Sequence, residues 1–469
     1  MISRASTIGL MLALAVLAPN LSMAAPKADE AAFRELYKDL IETNTSLSAG
    51  DCTLAARKLA ARLKTAGYPD ADLKVFVPEG HPKEGGLFAR LPGKDAKAKA
   101  VLMLAHLDVV EAKREDWARD PFKLVEENGY FYGRGTYDDK AMAAVWVDTL
   151  IRYRQEGYKP QRTIKLALTC GEETSGALNG AEYLVKNQRD LIDAAFAINE
   201  GGGGQLTSDG KPIFSGIQVG EKLSQNYTLE VTNPGGHSSR PLPDNAINQL
   251  AFGLTRISAY RFPIVFNDTT RAFFTEMAKM KGGEDGVAML ALVKDPKDKA
   301  AADRLMRDPD YNRILHTTCI ATMLEAGHAT NALPQRARAN VNCRIFPGTS
   351  VEEVRKTLET VANDAAIKIT VRETRNGESP APPLDQKVIG PAQKLASTLF
   401  PGVPSLLIMQ AGATDGAFLT PAGIPTYGIS GMFVDADGNG IHGLNERIGV
   451  KNLLDGRDYL YRLMKLYAG

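Results

Sequence analysis

Thr163-Ile-Lys-Leu-Ala-Leu-Thr-Cys170 runs directly into Gly171-Glu172-Glu173-Thr174-Ser175-Gly176. The first eight residues, rich in Leu, Ile and Ala, have the length and composition of a buried strand, and the glycine marks the loop it opens into. In open α/β sheets ligands bind beyond the carboxyl ends of the strands, so this loop stands where a site belongs. Two adjacent carboxylates repel each other unless they divide their labour, for example one binding a cation while the other accepts a proton. Alone, a Glu-Glu pair is common on solvated loops. Its meaning depends on partners elsewhere.

The same pattern recurs outward from this segment. Strand-like runs lie at 73–77, 86–91, 100–105 and 194–198, helical segments at 141–156 and 179–187, and helical periodicity covers 29–68. This alternation predicts an α/β fold with a mainly parallel central sheet. At about residue 220 the character changes to α+β, with strands at 226–231, 317–324, 336–345 and 367–372 and helices at 245–258 and 351–362. Between them, the charged and weakly patterned stretch 266–312 reads as a surface insertion, partly helical. Glu378-Ser-Pro-Ala-Pro-Pro383 has linker composition. After it, α/β character resumes, with a helix over 389–399, strands at 405–409 and 426–429, and a closing helix from Val450. The expected organisation is one discontinuous α/β domain, 25–220 and 377–469, holding an inserted domain over 221–376.

The first 24 residues read as a cleaved export signal. Arg4 supplies a short basic region, 8–18 an apolar stretch, and Ser22-Met23-Ala24 the small residues of a cleavage site. An apolar stretch of eleven residues falls well short of the roughly 20 that a spanning helix needs. The expected location is therefore the periplasm or the exterior. Setting Arg4 aside leaves 55 basic and 55 acidic residues, which gives no electrostatic footprint for nucleic acid or a membrane surface. Four cysteines, Cys52, Cys170, Cys319 and Cys343, contain no C-x-x-C pair. Cys319 and Cys343 fall roughly opposite each other on a strand pair and are read either as a disulfide or as buried thiols.

Further polar residues close other apolar runs. Val101-Leu-Met-Leu-Ala105 ends in His106-Leu107-Asp108, and Asp108 can orient an imidazole that binds metal through its other nitrogen. Alone, His106 would be read as a structural histidine. Tyr132-Gly-Arg-Gly-Thr-Tyr-Asp138-Asp139-Lys140 puts an Asp at a helix start, either as an N-cap or as a carboxylate whose two oxygens each take one cation. Ala194-Ala-Phe-Ala-Ile-Asn199 ends in Glu200 and four glycines, and His442 lies in Ile441-His-Gly-Leu-Asn-Glu446. Two histidines and three carboxylates without thiolate suit zinc, with cobalt or manganese as substitutes. A shared Asp138 would hold two metals about 3.5–4 Å apart. Glu172, beside a ligand but not itself one, would then be the general base.

These segments, in this order, resemble the dinuclear zinc family of aminoacylase-1, carboxypeptidase G2, succinyl-diaminopimelate desuccinylase and acetylornithine deacetylase, metallopeptidase family 20. The resemblance covers nearly the whole mature chain. It implies a zinc-exopeptidase-type catalytic domain with an inserted α+β lid or dimerisation domain. It further implies that His106 and Glu200 hold one zinc and Glu173 and His442 the other, with Asp138 bridging, Asp108 behind a ligand and Glu172 as base. Gly235-Gly236-His237-Ser238 resembles the family's lid signature, in which the histidine reaches a partner subunit's site; on its own His237 would pass for a turn residue. Asn331 and Arg344 match substrate-binding positions of the lid, and Thr414 in Gly412-Ala-Thr-Asp415 a loop lining the site. The 266–312 stretch is similar to the larger carboxypeptidase S-like branch.

The expectation is an exported dinuclear zinc hydrolase that cleaves an amide or peptide bond beside a free carboxylate, as a carboxypeptidase or an N-acyl-amino-acid amidohydrolase. Its expected partners are a peptide or N-acyl amino acid and, through the inserted domain, a second copy of itself. Alternatives are a dipeptidase or aminopeptidase of the same family and a non-catalytic binding protein on this fold. Asp435-Ala-Asp437-Gly-Asn439-Gly440, with Glu446 at the twelfth position, also fits a calcium-loop pattern, although position eight is His442 and the upstream flank reads as strand.

Overall fold

The computed structural model describes residues 28–174, 178–372 and 380–469. The expected signal segment, Ser175, Gly176 and the start of the Pro-rich piece lie outside the described residues.

The strand Val101–His106 is buried along its whole length, as a parallel strand covered on both faces must be. Its side chains alternate: Val101, Met103 and Ala105 enter one apolar layer, Leu102 and Leu104 the other. The first layer is completed by helices Cys52–Thr65, Lys140–Gln155 and Val450–Ala468, through Leu59, Trp146 and Leu460 among others. The second is completed by Gly180–Asn187, through Ala181 and Leu184. Ile164–Thr169 and Phe196–Asn199 flank the central strand in parallel, and Thr426–Gly428 continues the parallel core beyond Phe196–Asn199. The sheet then extends through Pro212–Glu221, with Ser405–Gln410 parallel to it, and at the other end through Gly86–Leu91 and Leu73–Phe76. The fold is α/β with a mostly parallel sheet. Three of the site-bearing segments, those of His106, of Glu172 and Glu173, and of Glu200, therefore leave the sheet at the carboxyl ends of adjacent strands.

A second, antiparallel sheet runs in the order Thr318–Ala326, Arg336–Ile345, Leu223–Thr232, Lys368–Arg372. Alternate residues of its central strands are buried under helices Ala246–Ala259 and Val351–Ala362. Thr318–Ala326 is an edge strand, and its Ile320, Met323 and Leu324 are 66%, 59% and 66% exposed.

The reading of 266–312 as a partly helical surface insertion is corrected. The segment forms four helices, Asp268–Lys281, Gly283–Lys294, Lys299–Leu305 and Pro309–Leu315, around Phe274, Met289, Leu292 and Leu315. Phe346 and Met409 join the same cluster, which ties it to both sheets. Gly282 and Gly283 divide the first two helices and charged turns the last two, so the apolar positions do not form one continuous pattern along the segment. All four cysteines are bonded, Cys319 to Cys343 and Cys52 to Cys170.

Candidate metal centre

Gly171 turns the chain out of Ile164–Thr169 at φ +94°, where a Cβ would lie 1.9 Å from the Leu178 carbonyl oxygen. Only glycine fits there. The doublet that follows is held from beneath, because the Asp108 carboxylate accepts from the Glu172 N–H (3.3 Å) and the Glu173 N–H (2.9 Å). Gly202, two residues past Glu200, meets the same constraint: φ is +63°, and a Cβ would fall 1.8 Å from the Gly428 carbonyl oxygen.

Asp138 stands between the two histidines. Its Oδ1 lies 3.1 Å from His106 Nε2 and its Oδ2 3.1 Å from His442 Nε2. His106 Nε2 also faces Glu200 Oε1 at 3.7 Å, and His442 Nε2 faces Glu173 Oε1 at 2.8 Å. Two ligand groups result, His106–Asp138–Glu200 and Asp138–Glu173–His442, each with its donor atoms within 4.8 Å of one another. The far nitrogen of His106 lies 3.0 Å from the Asp108 carbonyl oxygen and 3.6 Å from its carboxylate, so the backbone oxygen is the nearer partner. Asp139, not Asp138, occupies the N-cap position of Lys140–Gln155 and makes no cap with its side chain; instead it accepts from the His106 N–H.

The electrostatics are those of crowded carboxylates. Burial, reinforced by the charge of Glu200, holds Glu172 well above the usual carboxylate range. Burial likewise pushes Glu200 up to about 7. At Asp138 burial works in the same direction, but hydrogen bonds to His106 and His442 outweigh it and pull the carboxylate down. Hydrogen bonds to Asp138 and Glu173 lift His442 to about 10. Two histidines among this many buried acids do not neutralise them, whereas divalent cations would. The donor set of imidazole nitrogen and carboxylate oxygen, with no free thiol, fits zinc, cobalt or manganese.

Reading the sequence missed the residues that hold this centre together. Glu446 is buried and accepts from Arg134 Nη1 and from the backbone N–H groups of Gly135, Tyr137 and Asp138, at 2.8–3.0 Å. Arg134 Nη2 also donates to the Gly443 carbonyl, beside His442. One buried ion pair thus staples the Asp138 turn to the His442 loop. The staple also holds His442 at φ +58°, a left-handed conformation that costs a residue with a Cβ about 1 kcal/mol. The calcium-loop carboxylates are occupied otherwise: Arg447 pairs with Asp435 and Asp437, and Glu446 faces the Asp138 turn.

The other sequence-chosen residues divide into two groups. Arg344, on Arg336–Ile345, is half-buried and close enough to Glu172 to feel its charge. Thr414 donates to Glu221 and accepts from Asn199, next to Glu200. His237 and Asn331 stand apart: they are exposed and joined through the Ser238 N–H to the Asn331 carbonyl. Among the described residues His237 hydrogen-bonds only Ser239 through its ring.

The model of peptidase family M20/M25/M40 matches residues 102–466. The N-fatty-acyl-amino acid synthase/hydrolase PM20D1 of Homo sapiens is 29% identical over 438 residues, covering 91% of this chain and 86% of the relative. The probable carboxypeptidase S-like 2 of Dictyostelium discoideum is 26% identical, with coverage of 92% and 88%. Among solved structures, an M20 family metallo-carboxypeptidase from Sulfolobus solfataricus superposes with a TM-score of 0.70 at 20% identity, covering 94% of this chain and all of that one. With its two ligand groups at the strand ends of such a fold, the chain belongs to peptidase family M20/M25/M40 and is a hydrolase of amide C–N bonds.

Proposed function

We propose that the chain is an exported dinuclear zinc enzyme that hydrolyses the amide bond of N-acyl amino acids or peptides beside a free carboxylate. The observation that carries this reading is Asp138, whose two oxygens each face a different histidine, with a further carboxylate beside each. His106, Glu200 and Asp138 would hold one metal, and Glu173, His442 and Asp138 the other. The metal pair, when bound, supplies Lewis acidity that polarises the carbonyl and makes water acidic near neutral pH.

Glu172 removes the proton of the attacking water and returns it to the leaving amine. The raised value of Glu172 in the metal-free protein supports this role, since it marks a buried carboxylate that takes up a proton readily. Arg344, near Glu172, grips the substrate carboxylate with its planar fork. The helix–sheet unit of 221–376 acts as lid and dimerisation surface. His237 of a second copy then donates to the developing oxyanion, a contact worth about 3–4 kcal/mol where such donors are preorganised. The exposure of His237, whose ring bonds only Ser239 among the described residues, and the exposed apolar edge of Thr318–Ala326 both favour this arrangement.

Export agrees with the N-terminal segment and with the pairing of every cysteine. The test is a zinc-loaded screen of N-acyl amino acids and dipeptides, each with a free and an amidated C-terminus. Cleavage only of the free-carboxylate forms is expected. Equal cleavage of both forms would remove Arg344 as the clamp.

A further inference from the structure

The two loops that carry the glutamates of the centre do not leave neighbouring strands. Glu172 and Glu173 follow Ile164–Thr169, and Glu200 follows Phe196–Asn199. Val101–His106 runs between those strands and pairs with both, so among the described residues no ladder hydrogen bond joins the ends that the two loops leave. Their spacing needs support from outside the sheet. Thr414 and Asp415, at the start of the short helix Gly416–Leu419, are consecutive residues whose side chains reach one loop each.

Thr414 serves the Glu200 loop. Its hydroxyl accepts from Asn199 Nδ2 at 3.2 Å and from the Gly416 N–H at 3.0 Å, and it donates to Glu221 Oε2 at 2.8 Å. A hydroxyl has one proton and two lone pairs, so these three contacts fill it and leave nothing for a substrate. Glu221 is buried and fixed in turn, since Gln218 Nε2 donates to the same oxygen at 3.2 Å. Gln218 also lies against Gly201, where a Cβ would fall 2.1 Å from its Oε1. Asp415 serves the other loop. It is buried, and its carboxylate accepts from Thr169 Oγ1 at 2.5 Å and from Asn179 Nδ2 at 2.8 Å. Thr169 is the last residue of its strand, and Asn179 stands where the chain returns, beside the Gly180 N–H that donates to the Cys170 carbonyl. Asp415 thus grips both ends of the segment that bears the glutamate doublet.

We propose that Thr414 and Asp415 are positioning residues that set the two ligand loops relative to each other, Thr414 through Asn199 for Glu200 and Asp415 through Thr169 and Asn179 for Glu172 and Glu173. Resting on the dinuclear reading above, this assignment replaces the substrate contact expected of Thr414. Each residue acts through another side chain, and each serves a different ligand group: Glu200 stands with His106, and Glu173 with His442.

The test is cobalt binding by the full chain, followed by visible absorption, in Thr414→Val and Thr169→Val. Both exchange a hydroxyl for a methyl and leave every charge in place. Losing support behind a ligand weakens a metal about 10- to 100-fold, so each variant should keep one tight equivalent and weaken the other. His442→Ala, a change at an exposed side chain, leaves the His106 group as the remaining site. In that background the loss from Thr414→Val should exceed the loss from Thr169→Val by about tenfold or more. Thr414→Ser and Thr169→Ser, which keep the hydroxyl, should restore binding, and Asp415→Asn takes the place of Thr169→Val if that variant does not fold. Equal losses in that background, or unchanged binding in both variants, overturn the inference and leave the dinuclear reading standing. So does Thr414→Val with unchanged cobalt binding and a raised KM for an N-acyl amino acid, which returns the hydroxyl to the substrate. Failure of the unaltered chain to bind two cobalt ions sinks the dinuclear reading and the inference together.

Discussion

Asp138 owes its place to a carboxylate buried behind it. Glu446 gathers three backbone N–H groups of the Asp138 turn and pairs with Arg134, which in turn holds the loop of His442. Glu446→Gln would keep the shape but leave Arg134 buried without its counter-charge. Removing one partner of a buried pair costs about 3–5 kcal/mol, and losing support behind a ligand weakens metal binding about 10- to 100-fold. Urea denaturation and competition with a zinc chelator should show both losses, and wild-type metal affinity in the variant would refute the staple.

Protons should compete with metal at the same centre. In the metal-free protein His442 is raised to about 10, so it is protonated at neutral pH and must shed that proton to ligate. Metal affinity is therefore expected to climb with pH up to about 10, with proton release on binding, read by calorimetry in buffers of different ionisation enthalpy. The stability sign is opposite. A histidine whose value is raised on folding stabilises the metal-free fold fully below its unfolded value of 6.5 and loses that contribution as pH rises through about 10.

At this scale the sequence was legible where a polar residue closes an apolar run, which is how His106, Glu172, Glu173 and Glu200 came into view. Arg134 and Glu446 were not. They are 312 residues apart, and neither carries a local pattern that announces a partner.

At the scale of elements, Cys52 at the start of Cys52–Thr65 is bonded to Cys170, the last residue before the Gly171 turn. The disulfide anchors the base of the Glu172 loop to a helix 118 residues away in sequence. In the loop-entropy model a closure of this length contributes about 5 kcal/mol, against about 3.5 kcal/mol for the 24-residue closure of Cys319–Cys343. Paired alanine substitutions should therefore lower the calorimetric Tm more for Cys52 and Cys170 than for Cys319 and Cys343; the reverse order would contradict this ranking. Facing strands made the Cys319–Cys343 pairing readable as one of two alternatives, and those residues are register partners. Nothing local links Cys52 to Cys170. Parallel strands announced themselves as unbroken apolar runs because both of their faces are covered. The helices of 266–312 did not, since glycines and charged turns break the segment between them and its apolar positions are spread among many charged residues.

At the scale of the whole molecule, the proposed use of His237 requires a second copy. The edge strand Thr318–Ala326 carries Ile320, Met323 and Leu324 outward, an apolar edge that monomers usually blunt with charge. Ile320→Glu with Leu324→Glu should convert a dimer to a monomer by sedimentation velocity and abolish turnover with it. Mixing inactive Glu172→Gln and His237→Ala chains should restore part of the activity, because one site of a mixed dimer would have both residues intact. Failure of both experiments would confine the chemistry to a single copy.

The dinuclear reading is tested most directly by titrating the metal-free chain with zinc while following hydrolysis of an N-acyl amino acid. Activity should rise to a break at two equivalents per chain, and Glu172→Gln should bind the same two equivalents with turnover lowered about 100- to 10,000-fold. Full hydrolysis before any metal is added, or a break at one equivalent, would contradict a centre in which Asp138 serves two ions.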